Sequence, residues 1–182
     1  SKLDNPNHRR EDALRSFEAT MRDLRLDVLD LFLVHWPMAD SPGIDLVDTW
    51  RTMIDILESG RVRAIGVSNF QAEHLRTIIK ATGVTPAVNQ IELHPYLCQE
   101  QLRALHDSLG IVTESWSPLG RGRLLEEPVV RDVAATLGVT PAQVVIRWHV
   151  QHGLVVIPKT THCERMRVNA DVFSFGLSRE QM

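Results

Sequence analysis

Short apolar runs alternate with helical patterns along most of the chain. Leu14, Phe17, Met21 and Leu24 recur at spacings of three and four, which predicts a helix over about residues 9–24. The apolar run 31–34 then predicts a strand that is buried on both faces. The pattern continues with helices predicted near 46–59, 71–81, 99–109, 129–137, 141–152 and 162–170, and with strands at 63–67, 87–93, 111–116 and 154–158.

Five strands separated by helices, with no hairpin signal between them, predict a parallel α/β sheet. The sheet is either open and doubly wound or closed as a (β/α)8 TIM barrel. The dinucleotide fingerprint GxGxxG, which favours the open sheet, is absent. A complete barrel takes about 250 residues. We therefore expect residues 1–182 to be a single truncated barrel domain, incomplete at both ends, with about five βα units.

Both ends of the chain agree with that expectation. The first residue is Ser1 and no initiator Met precedes it, while Ser178 followed by Gln181 resembles the capping box of a helix that begins there. Five units would leave two sheet edges without neighbours, so we expect these residues alone to be unstable, dimeric or aggregated.

Composition narrows the function classes. The net charge is −3, from 20 basic and 23 acidic residues, so no basic field favours a nucleic-acid partner. No apolar run approaches the roughly 20 residues of a membrane-spanning helix, and the start is not a signal peptide. Two cysteines do not make a disulfide framework, which favours a cytoplasmic setting. His149 and His152 lie three apart on one predicted helix, but no third ligand is evident and we expect no metal.

Each predicted strand ends in polar or aromatic residues. In a parallel barrel the chemistry gathers at these carboxyl ends, so the set indicates a site. The residues are His35 and Trp36, Ser68 and Asn69, Gln90, Trp116 and Ser117, and Lys159 and Thr160.

Six segments carry a resemblance to a known family. They are SKL at 1–3, LFLVHWP at 31–37, GRVRAIGVSNF at 60–70, VNQIELHPY at 88–96, SWSPLGRG at 115–122 and IPKTTHCERMRVN at 157–169. In this order and spacing the chain resembles the aldo-keto reductase family, in particular a bacterial branch similar to 2,5-diketo-D-gluconate reductases. The resemblance implies reduction of aldehydes and ketones by hydride transfer from NADPH.

The resemblance also implies part of a catalytic tetrad. Lys2 matches the family's lysine and His35 its histidine, which orients the substrate carbonyl, with Trp36 beside it as a substrate contact. In the family an aspartate and a tyrosine precede the lysine, and the tyrosine is the general acid. The only tyrosine here, Tyr96, matches a loop position without a catalytic role. We expect the 182 residues by themselves to reduce carbonyl compounds poorly.

The remaining matches concern the cofactor, NADPH/NADP+. The resemblance implies that Ser68, Asn69 and Gln90 bind the nicotinamide amide, that Trp116 stacks on its ring, and that a loop crosses the pyrophosphate. Trp116 stands where many members have tyrosine, and Val168 where many carry an acidic residue that contacts adenine. The other implied cofactor residues are Ser117, Leu119 and Gly120 in the loop, Lys159, Thr160 and Arg165 at the 2′-phosphate, and Asn169 at the adenine.

Two other functions remain open. One is a regulatory protein that binds NADPH without significant turnover, as in the potassium-channel β subunits that share this fold. The other is a phosphate-binding barrel isomerase, which a sugar phosphate rather than a dinucleotide would protect from unfolding. The leading expectation is a reductase of small carbonyl compounds, monomeric at full length, with neither a nucleic-acid nor a membrane partner.

Overall fold

The computed structural model describes every residue from Ser1 to Met182. Six strands follow one another across the sheet in chain order, and each described pairing is parallel. A doubly wound sheet reverses its strand order at a switch point, whereas a (β/α)8 barrel adds each strand beside the preceding one. The predicted parallel α/β fold in barrel order is confirmed. The strands are β1 (Lys2–Leu3), β2 (Leu29–Val34), β3 (Val62–Ser68), β4 (Val88–Glu92), β5 (Val112–Trp116) and β6 (Val155–Val156).

The predicted number of strands was wrong, since the structure has six and not five. The additional strand, β1, is two residues long and pairs Lys2 with Leu33 and Leu3 with Val34. Two residues are too few to show any hydrophobic periodicity, so this strand exists only through its partner.

Six α-helices lie between strands and a seventh follows the last strand, all within two residues of the predicted boundaries. Glycine ends several of them, and Gly83 and Gly138 adopt the left-handed conformation that allows the last carbonyl groups to be capped. The helices are α1 (Arg10–Leu24), α2 (Leu46–Glu58), α3 (Ala72–Thr82), α4 (Glu100–Leu109), α5 (Pro128–Leu137), α6 (Pro141–Gln151) and α7 (Cys163–Ala170). Two 3-10 segments, Asn5–Asn7 and Gly120–Glu126, complete the set.

Backbone contacts divide the chain into two compact units. The first comprises residues 1–90 and 101–112, and the second comprises residues 91–100 and 113–182. In the first unit, α1 buries Ala13, Phe17 and Met21, whereas the predicted face members Leu14 and Leu24 are 36% and 48% exposed. The buried face of α1 is therefore rotated away from the predicted face and toward Ala13.

The second unit contains two capping-box pairs, one of which lies at the start of a helix. Thr140 and Gln143 exchange side-chain and backbone hydrogen bonds at the first turn of α6. Ser178 and Gln181 make the same reciprocal pair, as their spacing predicted, but residues 179–181 form a turn and not the predicted helix.

No single helix is both long and apolar enough to cross a bilayer. The pair α5 and α6 satisfies that length and composition test only when taken together, and it is bent by 91° at its break.

Candidate functional site

Strand register places four predicted site residues of the first unit on one face of the sheet. Lys2 pairs with Leu33, Leu33 with Gly66, and Ser68 with Gln90. Partners in a parallel ladder point to the same side, and so do residues two apart along a strand. Lys2, His35, Ser68 and Gln90 therefore share a face, and the last three form a row at the carboxyl ends.

Hydrogen bonds fix this row firmly. The hydroxyl group of Ser68 donates to the carbonyl oxygen of Gln90 at 2.8 Å. The side-chain amide of Asn69 donates to the His35 carbonyl oxygen at 3.0 Å and to Ser68 Oγ at 3.1 Å. Asn69 also has a positive φ of 64°, a conformation that asparagine tolerates better than most residues. Asn69 thus joins the ends of β2, β3 and β4.

His35 has a neighbour that the sequence patterns did not indicate. Asp4 Oδ1 lies 3.6 Å from His35 Nδ1, because Asp4 follows β1 just as His35 follows β2. Trp36, the predicted substrate contact, is 42% exposed. The only signal in the sequence was the position of Asp4 directly after the SKL segment.

A buried amide and histidine pair supports β4 from behind the row. Asn89 exchanges two hydrogen bonds with the Phe70 backbone, and its Nδ2 also donates to His106 Nε2 at 2.9 Å. Burial lowers the pKa of His106 to about 4, so the ring is neutral and Nε2 is the acceptor. This contact is consistent with a structural role for His106.

The second unit contains the loop that follows β5. Ser117 has a positive φ of 49° and its carbonyl oxygen accepts from the Gly120 N–H at 2.9 Å. Gly120 also has a positive φ, of 55°. Backbone conformations of this kind are costly for residues other than glycine and recur where a chain turns sharply at a binding site.

A cavity of about 490 Å³ lies within the second unit. Five of the predicted cofactor residues line it, namely Leu119, Lys159, Thr160, Arg165 and Asn169. Val168 also lines it, so an apolar side chain stands where the resemblance predicted an acid. Trp116, Ser117 and Gly120 are not among the residues that line it.

The basic side chains that line this cavity differ in whether they have a partner. Neither Lys159 nor Arg165 has a carboxylate or hydrogen-bond partner, whereas Arg131 pairs with Glu126 and donates to the Leu125 carbonyl oxygen at 3.3 Å. The Thr160 hydroxyl group accepts from the His162 N–H at 3.2 Å, which leaves its own proton available. Two unpaired cations and a donor hydroxyl suit a phosphate group. Sequence reasoning missed Arg131, since nothing distinguishes it from the other polar residues of α5.

Tyr96 does not have the environment of a catalytic acid. A hydrogen bond with Glu127 raises the pKa of Tyr96 above its ordinary value, which makes the phenol a weaker acid. Its side chain is 67% exposed.

His149 is one of the two histidines considered as a metal-binding pair, and both of its ring nitrogens have partners. Both ring nitrogens of His149 contact carbonyl oxygens, Nδ1 that of Val145 at 2.8 Å and Nε2 that of Leu93 at 3.1 Å. Neither nitrogen is therefore free to bind a metal. No group of three or more His, Cys, Asp or Glu side chains converges anywhere in the chain.

Comparison with known proteins identifies relatives across the whole chain. The sequence model described as "Aldo/keto reductase family" matches residues 1–182. The 2,5-diketo-D-gluconic acid reductase B of Corynebacterium sp. is 53% identical over 184 residues, and the methylglyoxal reductase DkgA of Escherichia coli K12 is 46% identical over 186 residues. Each comparison covers 100% of this chain.

The fold of the chain is also similar to that of a solved crystal structure. The crystal structure of a Gox0644 mutant in complex with NADPH has a TM-score of 0.96 and 49% identity over 100% of this chain, or 66% of its own. The chain spans 65% of the length of the Corynebacterium relative and 66% of the Escherichia coli relative. The predicted family resemblance is confirmed.

Proposed function

The chain belongs to the aldo/keto reductase family, and on that basis we propose that the full protein reduces aldehydes and ketones to alcohols with NADPH. NADPH, when bound, supplies the hydride that is transferred to the carbonyl carbon. The residues described above would hold the cofactor and the carbonyl group. The solved relative that contains NADPH and the relatives named as reductases support this proposal.

The cavity in the second unit carries the cofactor assignment. Lys159 and Arg165 are cations without partners, and the Thr160 hydroxyl group has a proton to donate. A 2′-phosphate dianion would satisfy all three groups at once, and charge-assisted hydrogen bonds of this kind are the stronger ones. Leu119 and Asn169 would contact the neighbouring parts of the dinucleotide.

The face shared by Lys2 and His35 carries the substrate assignment. His35 follows the end of β2 and would donate a hydrogen bond to the carbonyl oxygen of the substrate, with Trp36 as an apolar wall. Ser68, Asn69 and Gln90 would bind the nicotinamide amide, since hydroxyl and amide groups match its donors and acceptors. Trp116 would stack on the nicotinamide ring, and Ser117 and Gly120 would shape the loop at the pyrophosphate.

The family resemblance assigns the proton for the carbonyl oxygen to a tyrosine, and none of these 182 residues is a tyrosine at the matching position. Glu127 makes the only tyrosine, Tyr96, a weaker acid than a free phenol. We propose that a tyrosine and an aspartate from another part of the full protein complete the tetrad. Lys2 would favour the phenolate form of that tyrosine by its charge.

Cofactor affinity tests the assignment of the cavity. In the full protein, Lys159→Ala and Arg165→Ala should each raise the Kd for NADPH about tenfold and leave the Kd for NADH within about twofold, since only NADPH has the 2′-phosphate. Arg167→Ala is the matched control, because Arg167 lies on the same helix and does not line the cavity. Equal losses for both dinucleotides would refute the phosphate assignment.

Turnover distinguishes the reductase from a regulatory binding protein of the same family. Consumption of NADPH by the full protein with methylglyoxal should give the alcohol product. Tight NADPH binding without turnover of any small aldehyde would instead support the regulatory function.

We further propose that the full protein is a single barrel domain and that it acts as a cytoplasmic monomer.

A further inference from the structure

The carboxylate of Asp4 lies beside His35, the residue proposed to hold the carbonyl oxygen of the substrate. Leu3 pairs with Val34, and the His35 N–H donates to the Leu3 carbonyl oxygen at 3.1 Å, so the ladder continues to the position of Asp4. Asp4 Oδ1 then lies 3.6 Å from His35 Nδ1. The short distance follows from the register of β1 against β2.

The direction of this carboxylate is also fixed. Asp4 Oδ1 accepts a hydrogen bond from the Asn5 N–H at 2.9 Å, because Asp4 is the N-cap of the 3-10 turn that begins at Asn5. A side chain that caps a turn loses little further freedom when a ligand binds beside it. The negative charge therefore stays close to His35.

No cation neutralises this charge. No lysine or arginine lies within ion-pair distance of Asp4, whereas Asp30 near the opposite end of β2 pairs with Arg63. The only nitrogen of a basic side chain within that distance is His35 Nδ1. The Asp4 side chain is 68% exposed, so a small substrate at His35 would meet its charge directly.

We propose that Asp4 determines specificity by charge, disfavouring carbonyl substrates that carry a carboxylate next to the reacting carbonyl and favouring uncharged ones. The inference rests on the proposed function, in which His35 holds the carbonyl oxygen. A carboxylate on the adjacent carbon would then stand within a few ångströms of Asp4. Two like charges at that distance repel each other.

A matched pair of aldehydes tests this specificity. Glyoxal and glyoxylate have similar size and differ in one group, an aldehyde against a carboxylate. In the full protein, Asp4→Asn should raise kcat/KM for glyoxylate about tenfold and change that for glyoxal by no more than about twofold. Added salt should raise the activity of the unmodified protein toward glyoxylate and have less effect in the variant.

Asp30→Asn is the control for net charge. Asp30 lies in the same unit, near the opposite end of β2, where it pairs with Arg63. The control should leave the ratio of the two kcat/KM values unchanged. Equal changes for both aldehydes in Asp4→Asn, or the same shift of the ratio in Asp30→Asn, would overturn the proposal.

A binding measurement separates this proposal from the proposed reaction. Lactate and lactamide, an anion and its neutral amide, can be titrated into labelled full protein with NADP+ while the ring signals of His35 are followed by NMR. Lactamide should bind more tightly, and Asp4→Asn should reduce that preference about tenfold. An unchanged preference would refute the role of Asp4 even where turnover is absent, whereas absent turnover with a reduced preference would refute only the reaction.

Discussion

The two compact units present their predicted cofactor residues in opposite ways. In the first unit, Ser68 and Asn69 are hydrogen-bonded to neighbouring strand ends. In the second, Lys159 and Arg165 line a cavity of about 490 Å³ and have no partner. The first arrangement holds a fixed shape that also contributes to folding. The second arrangement leaves two positive charges available for a ligand. We expect these charges to contribute little to the stability of the fold.

The largest effect that would test this comparison is expected from Gly66→Ala. A Cβ atom at Gly66 would lie 2.6 Å from the Val88 carbonyl oxygen and 2.7 Å from Leu33 Cδ2, so β3 and β4 would have to separate. We expect the free energy of unfolding of the full protein to fall by about 3 kcal/mol, as measured in urea.

Gly176→Ala is the matched control for that change. Its nearest atom would be 3.7 Å away, which is an ordinary contact, so stability should change by less than about 0.5 kcal/mol. Similar losses in the two variants would show that the strands of the first unit are not held at a fixed separation.

A smaller loss of stability is expected when the pH is lowered. The pKa of His106 is lowered to about 4 by burial, so between pH 6.5 and 4 the unfolded state binds the proton more readily than the folded state. Stability should therefore be lost as the pH falls through this range, by about 2 kcal/mol at pH 5 compared with pH 8. Urea unfolding of the full protein at a series of pH values measures it.

Replacement of the histidine isolates this contribution. His106→Gln places an amide oxygen that can accept from Asn89 and has no titrating ring, so the loss of stability between pH 8 and pH 5 should shrink by about 2 kcal/mol. An undiminished loss would assign the acid sensitivity to other groups, among them His149, whose pKa burial also lowers.

The last comparison takes one residue from each unit, and its smaller effect is expected in the second unit. Asn69→Ala removes two side-chain hydrogen bonds at a backbone position with a positive φ, and should cost about 2 kcal/mol of stability. Lys159→Ala removes an unpaired cation and should change stability by less than about 0.5 kcal/mol. A destabilisation by Lys159→Ala as large as that by Asn69→Ala would contradict the comparison.

Local periodicity predicted the order of helices and strands well, and the buried faces less well. In α1 the pattern predicted a face that includes Leu14 and Leu24, whereas both are exposed and Ala13 is buried with Phe17 and Met21. Periodicity shows that a helix has an apolar side, but the neighbouring strands decide which stripe is covered. Buried polar residues such as His106 escaped the pattern because their partners are distant in sequence.

Apart from β1, the sequence by itself determined which segments become helices or strands, because turn-forming glycines and apolar spacing act over a few residues. The family motifs predicted the members of the site, and their individual roles are proposals. Only the tertiary structure decided that β1 exists, that Asp4 lies beside His35, and that Arg131 engages Glu126 while Lys159 stays unpaired. Those outcomes depend on the register of strands and the docking of helices, which join residues that no local pattern connects.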